Sequence, residues 1–310
     1  MRKITLAAPA KINLFLEITG KRPDGYHNIA TLFAKISLAD KITIAKSGKP
    51  GFRLINRTPC PLSAGADNLA LRAEKAVREE FGINGCTTIT LEKNIPIGAG
   101  LGGGSSDAAA VIKGMCRLFG ITTRPWENRR LSAIARGLGA DVPVFLREEA
   151  FLVGTGIGDR LKPLPARGRL PYLTVVYPGV PVSTADAYRA LRPAPRTEVL
   201  TRLLSLYKLK RMLEGGAASD NWISLLFNRL EQPVLPRYKA VRDIRAELAA
   251  HGAKAVLMSG SGSCVFAISD TAAQSKRIAA AVAGGRAAAY AVKFLRGEYA
   301  DKRNPHPHDE

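Results

Sequence analysis

The stretch that most constrains this chain runs from Ile95 through Pro96, Ile97, Gly98, Ala99, Gly100, Leu101, Gly102, Gly103, Gly104, Ser105 and Ser106 to Asp107. Five of the seven residues 98–104 are glycine, and residues 108–119 carry apolar side chains at helical spacing. The pattern predicts a loop feeding a helix N-terminus, with Ser105, Ser106 or Asp107 as the cap. Without Cβ atoms the loop can take positive φ and let a ligand approach the main chain. The first amides of a helix lack internal partners, and with the dipole they form an anion site, most commonly for phosphate. A purely structural turn would use fewer glycines, because each costs backbone entropy on folding.

The Walker arrangement needs a lysine before the serine, and none precedes Ser105. Gly98, Gly100 and Gly103 match the dinucleotide fingerprint literally, and Glu127 lies near the distance of a ribose acid. No run of further βαβ units follows, which disfavours that reading.

The chain has 310 residues, enough for two domains, with 46% hydrophobic and 23% charged residues. No apolar run reaches the length of a membrane span, and Lys11, Asn13 and Glu17 interrupt what would be a signal-peptide core, so a cytoplasmic protein with no membrane partner is expected. Cys60, Cys86, Cys116 and Cys264 show no metal-ligand spacing; buried thiols are expected, without disulfide or zinc. The formal net charge of +20 raises a nucleic-acid partner. The basic residues are spread along the chain without interleaved aromatics, so a solvated surface that draws anionic small molecules is the better reading.

Along the chain, residues 3–8 read as a strand that Pro9 breaks, followed by an extended run bearing Lys11 and Asn13 on one face. Pro23, Asp24 and Gly25 carry turn chemistry ahead of Tyr26 and His27, which offer a stacking face and a hydrogen-bonding ring. Strands are expected at 31–37, 41–45 and 86–94, and helices at 67–81, with Asp67 as cap, and 127–138. Asp141, set among small and apolar residues, reads either as a turn or as an acid on a cleft wall, with Lys11 the partner to offset its desolvation. A linker-like composition at 163–169 marks a boundary between an N-terminal domain, 1–163, and a C-terminal domain, 164–300, with a polar tail at 301–310 whose His306 and His308 are poor metal ligands. The second domain is read as an α+β alternation. It holds a strand at 173–177, a short helix capped by Thr184 that contains Tyr188, and helices at 198–213, 222–230, 237–251 and 271–283. Further strands fall at 253–258, 264–268 and 288–295, and a second glycine-serine loop occupies 259–263.

Three segments, 9–13, 96–109 and 258–264, resemble in order and separation the three motifs of the GHMP kinase superfamily. Residues 22–27, 139–145 and 178–180 resemble the branch that phosphorylates a cytidine diphosphate sugar alcohol in non-mevalonate isoprenoid synthesis, and the likeness runs from about residue 4 to 296. The resemblance implies a two-domain α+β fold, with an N-terminal ribosomal protein S5 domain 2-like half, a C-terminal ferredoxin-like half and the active site in the cleft between them. It implies ATP as co-substrate with Mg²⁺ beside the phosphates, small-molecule partners rather than nucleic acid, and a monomer or homodimer. On these residues it places ATP along Pro96, Gly98, Ala99, Gly100, Leu101, Gly102, Gly103, Gly104, Ser105 and Ser106, with Asn68 near the adenine. It gives catalysis to Lys11 and Asp141, a cytosine sandwich to Tyr26 and Tyr188, the base edge to His27, and further substrate contacts to Asn13 and Thr184. A sister kinase acting on homoserine or mevalonate is the nearest alternative, and would have no use for the base sandwich.

Overall fold

The alternating residues at the start of the chain build two long strands rather than four short ones. In this computed structural model, which describes residues 2–58, 67–121, 123–284 and 287–297, β1 (Lys3–Lys21) runs antiparallel to β2 (His27–Ser47) along nearly their whole length. Pro9, expected to break the strand, lies inside it. The pairing register shifts between Pro9 and Lys11 and again between Asn13 and Phe15, so bulges absorb the missing proline N–H and re-aim the residues between them. The expected strands at 31–37 and 41–45 are both parts of β2.

β3 (Gly51–Asn56), which the sequence reading lacked, lies parallel to β4 (Cys86–Lys93). Between them, α1 (Leu69–Glu80) is capped by Asn68, whose side chain accepts from Ala70 N at 3.0 Å, and not by Asp67. α2 (Gly103–Phe119) begins earlier than expected, and its cap is Gly102 in the left-handed region, so Ser105, Ser106 and Asp107 all lie inside the helix. α3 (Arg129–Leu138) starts after Glu127, with the Asn128 side chain accepting from Arg130 N and Leu131 N. α4 (Val142–Leu146), β5 (Phe151–Thr155) and β6 (Arg160–Pro163) complete this half. Its sheet has the order β3-β4-β2-β1, with β5 paired to β2 and β6 to β5. Ala108, Val111, Ile112 and Met115 of α2 pack with Ile42, Ile44, Ile89 and Leu91 of the sheet and with Val142 and Phe145 of α4.

The second half starts at β7 (Tyr172–Tyr177), followed by α5 (Thr184–Arg189), α6 (Arg196–Gly215) and α7 (Ser219–Trp222). Ser183, not Thr184, caps α5. The helix expected over 222–230 is instead the end of α7, a 3₁₀ turn (Ile223–Leu225) and β8 (Phe227–Asn228), which joins the first sheet parallel to β1. Phe227 packs its ring 5.7 Å from Phe15, and this tertiary pairing overrides the local helical spacing. α8 (Glu231–Val234), α9 (Lys239–Ala250), β9 (Ala255–Met258), β10 (Val265–Ser269), α10 (Ala272–Val282) and β11 (Ala288–Lys293) follow. The second sheet is antiparallel in the order β11-β7-β10-β9, the ferredoxin-like arrangement of a βαββαβ unit.

One apolar cluster joins the halves: Ile12, Leu14 and Leu32 of the first sheet pack with Leu173, Val175 and Phe266 of the second. No helix among the described residues is long and apolar enough to cross a membrane. Cys116 and Cys264 are buried as expected, and burial pushes the Cys116 thiol up to about 11. Cys60 and the tail histidines lie outside the described residues.

Candidate active site

The glycine run owes its composition to what surrounds it. At Gly100, φ is +74° and a Cβ would come within 2.1 Å of the Ser259 carbonyl oxygen, so main chain lies directly on main chain there. At Gly102, φ is +70° and a Cβ would strike the Phe145 ring at 2.9 Å. The loop is clamped from the second half: Cys264 N donates to Ala99 O at 3.1 Å and Ser259 Oγ to Gly100 O at 3.1 Å. Asn228 holds the second glycine-serine loop in turn, donating to Met258 O at 2.7 Å and Gly260 O at 2.8 Å.

β1 supplies the amine. Lys11 N donates to Leu101 O at 3.0 Å, tying the strand to the loop, while its ammonium donates to Asn13 Oδ1 at 2.8 Å and to Gly100 O at 3.0 Å. Asn13 donates to Thr31 Oγ1, which donates to Phe15 O, so a buried chain of hydrogen bonds fixes the lysine. The remaining direction of the ammonium faces Asp141 Oδ2 at 3.5 Å. Asp141 occupies the cap position of α4 without making a side-chain cap bond, and its side chain is 34% exposed. It sits in the turn that leads into α4 and lines the cleft from there.

The cleft has a volume of about 1490 Å³. Lys11, Asn13, Tyr26, His27, Asn68, Pro96, Gly98, Ala99, Gly100, Leu101, Gly102, Gly103, Gly104, Ser105, Asp141, Thr184 and Tyr188 all line it. Ser106 does not; it is buried behind the loop. Thr184 Oγ1 lies 2.8 Å from Ser261 Oγ, which closes the second loop onto α5.

At the far end the arrangement differs from the expected sandwich. The ring stacked on Tyr188 is that of His27, with centroids 5.3 Å apart, and Tyr26 is turned outward with 60% exposure. Burial and the nearby Lys21 lower the pKa of His27, which favours a neutral imidazole with one donor and one acceptor. Burial, with the charge of Asp141 adding to it, raises that of the Tyr188 hydroxyl. Arg192, Arg196, Arg229, Glu17 and Lys93 also line the cleft, and sequence reasoning missed them. Arg229 makes a two-pronged bond to the fully buried Glu17 at 2.8 and 2.7 Å, a pairing between distant residues that leaves no local pattern.

The sequence matches the family described as GHMP kinases N terminal domain over residues 68–149 and GHMP kinases C terminal over residues 205–286. A protein of Geobacter sulfurreducens named 4-diphosphocytidyl-2-C-methyl-D-erythritol kinase is 40% identical over 271 residues, 86% of this chain and 90% of that one. The chain belongs to the 4-diphosphocytidyl-2-C-methyl-D-erythritol kinase family of GHMP kinases. Another kinase of this family, from Prosthecochloris aestuarii, is 36% identical over 307 residues, 97% of this chain and 99% of its own. A crystal structure of 4-(cytidine 5'-diphospho)-2C-methyl-D-erythritol kinase superposes with a TM-score of 0.73 at 37% identity, covering 93% of this chain and 99% of that one. Homoserine kinase from Cytophaga hutchinsonii, with a TM-score of 0.70 at 20% identity and coverage of 95% and 98%, shares the fold.

Proposed function

We infer that this chain transfers the γ-phosphate of ATP to the 2-hydroxyl of 4-diphosphocytidyl-2-C-methyl-D-erythritol, giving the 2-phosphate and ADP, in non-mevalonate isoprenoid biosynthesis. The observation that carries the reading is the Lys11–Asp141 pair, 3.5 Å apart, beside the glycine loop in a chain 36–40% identical to kinases of that name over most of its length.

Phosphoryl transfer to a tertiary alcohol asks for three things: alignment of the hydroxyl on the γ-phosphorus, an acceptor for its proton, and positive charge on the equatorial oxygens as they separate. The loop amides from Gly98 to Ser105 and the N-terminus of α2 hold the polyphosphate. Asp141 receives the proton of the attacking hydroxyl. Lys11, already fixed by Asn13 and Gly100 O, turns its remaining N–H toward the transferring group. Asn13 acts mainly by orienting this lysine. Ser106 is buried behind the loop and does not line the cleft. Asn68 stands at the adenine end, Thr184 helps hold the substrate, and the cytosine enters between Tyr188 and Tyr26 with His27 reading its edge. Binding at the base aligns the distant alcohol.

Mg²⁺ fits the donor set. It binds through substrate phosphates with few protein oxygens rather than in an all-protein cage, and Ser105 offers a hydroxyl oxygen on the cleft wall at the glycine loop. The substrate phosphates would hold it, with the Ser105 hydroxyl on the cleft wall beside them, and it would neutralise charge on the transferring group. We take it to act in the cytoplasm on small molecules, as a monomer or homodimer.

The test is direct identification of the product: ³¹P NMR of purified protein with ATP and the cytidylyl substrate should show ADP and a new phosphomonoester on a tertiary carbon. Absence of the phosphomonoester while ATP is bound would refute the assignment.

A further inference from the structure

Beneath the glycine loop lies a buried ionic cluster that the reaction as described does not use. Lys93, the last residue of β4 and 2% exposed, donates to Asp107 Oδ2 of α2 at 2.7 Å and also to Asp40 Oδ2 of β2. Asp40 spends its other oxygen on the amides of Asn94 at 2.5 Å and Ile95 at 2.8 Å, the residues that lead into the loop. Asp107 is 3% exposed and its Oδ1 has no hydrogen-bond partner among the described residues. A Cβ added at Gly103 would sit 3.0 Å from the Lys93 ammonium, so this cation lies against the first residue of α2, and both Lys93 and Asp107 reach the cleft wall there.

With both acids ionised the cluster carries one net negative charge, directly behind the place where a polyanion must bind. With one acid protonated it is neutral. Both oxygens of Asp40 are engaged, by two main-chain amides and the lysine; Asp107, with one oxygen unengaged among the described residues, is the member with room to take a proton. We propose that Asp107 is a positioning residue for the ATP polyphosphate, holding Lys93 under Gly103 together with Asp40 and taking up a proton when the polyphosphate docks. Burial is the main influence on its carboxyl and pushes it up to about 7; Lys93 opposes this and Asp40 adds to it.

Other charges around α2 are turned elsewhere. Lys11 of β1 is directed to Gly100 O, Asn13 and Asp141, and α4 carries no charged residue. Of the α1 charges, Glu74 pairs with Arg78 and Thr87, Lys75 with Glu79, Glu80 with Arg130 of α3, and Arg72 is exposed, as are Arg129 and Arg136 of α3.

This inference rests on the reading of the loop as an ATP site. Each unit by which docking raises the Asp107 pKa appears as about tenfold weaker nucleotide binding above the titration than below it. The experiment is calorimetric titration with a non-hydrolysable ATP analogue at pH 7.5 in two buffers of different ionisation enthalpy. The intact protein should take up a fraction of a proton more than Asp107→Asn, and its analogue affinity should fall from pH 6 to 8.5 more steeply than the variant's. Should the variant not fold, infrared difference spectra of the unmodified protein serve: a protonated-carboxyl band should appear on analogue binding. Binding with equal proton uptake in the two proteins, or without that band, overturns the role of Asp107 and leaves the ATP site standing. Failure of the analogue to bind at all overturns both.

Discussion

The Lys11 ammonium stands 3.5 Å from Asp141 Oδ2, and its other two contacts, Asn13 Oδ1 at 2.8 Å and Gly100 O at 3.0 Å, are shorter. An ammonium has three N–H donors. Two are bound tightly to the scaffold, and the third is held loosely by the acid, so it is the one free to turn to an incoming phosphate. A strand, a glycine loop and the start of a short helix therefore meet at one amine.

Asp141→Ala should lower kcat by about 10²-fold or more, with a much smaller change in ATP affinity, because the lost group acts on the hydroxyl proton and not on nucleotide binding. Steady-state kinetics with both substrates varied checks this. A variant with near-normal kcat removes Asp141 from the chemistry.

Gly100→Ala should destabilise the fold by about 2–4 kcal/mol and raise KM for ATP, since the added methyl meets the Ser259 carbonyl at 2.1 Å in a left-handed backbone. Gly104→Ala is the control for stability: its Cβ finds only Leu69 Cδ1 at 3.5 Å, an ordinary contact. Thermal unfolding of the two variants should separate them clearly. Equal melting temperatures would mean that the two glycine loops do not press on each other.

Tyr188→Ala and Tyr26→Ala should each weaken the cytidylyl substrate by about 1–3 kcal/mol, the worth of stacking a base on an aromatic ring, and leave KM for ATP unchanged. Because Tyr26 is 60% exposed, its loss should not shift the melting temperature. An unchanged substrate KM in Tyr26→Ala would leave the base to Tyr188 and His27.

Lys35 is buried on β2, its ammonium donating to Arg147 O at 2.6 Å, and burial lowers its pKa to about 7. A lysine whose folded pKa lies below its unfolded value near 10.5 costs stability in full below about pH 7, and the cost fades as pH rises through that window. Urea midpoints should therefore climb from about pH 7.5 to about 9.5, worth about 2–3 kcal/mol for this residue. Lys113, lowered by burial to about 8, adds in the same direction. Lys35→Met should remove its share of the slope; an identical slope in the variant would show that Lys35 stays protonated.

What the sequence disclosed and what it hid divide along local and non-local lines. Glycines at 98, 100 and 102 announced positive φ through their identity, and each has it. Lys11 and Asn13 share a strand face by simple alternation, and the two are bonded at 2.8 Å. By contrast, Asp107 reads as a helix cap but is the partner of a buried lysine on β4, a pairing that no spacing reveals. Asn228 sits in a segment with helical periodicity, yet it becomes a two-residue strand because β1 offers a free edge there. The stacking of His27 on Tyr188 likewise depends on how two distant segments face each other.

The central claim is that this cleft moves phosphate from ATP to an alcohol carried on a cytidine diphosphate. The most direct measurement is kcat/KM with 4-diphosphocytidyl-2-C-methyl-D-erythritol against mevalonate and homoserine as competing acceptors, at fixed saturating ATP. The account predicts a preference of about 10³-fold or more for the cytidylyl substrate, since the groups that read the base would be left unpaired by the others. Equal or greater efficiency with mevalonate or homoserine would contradict it.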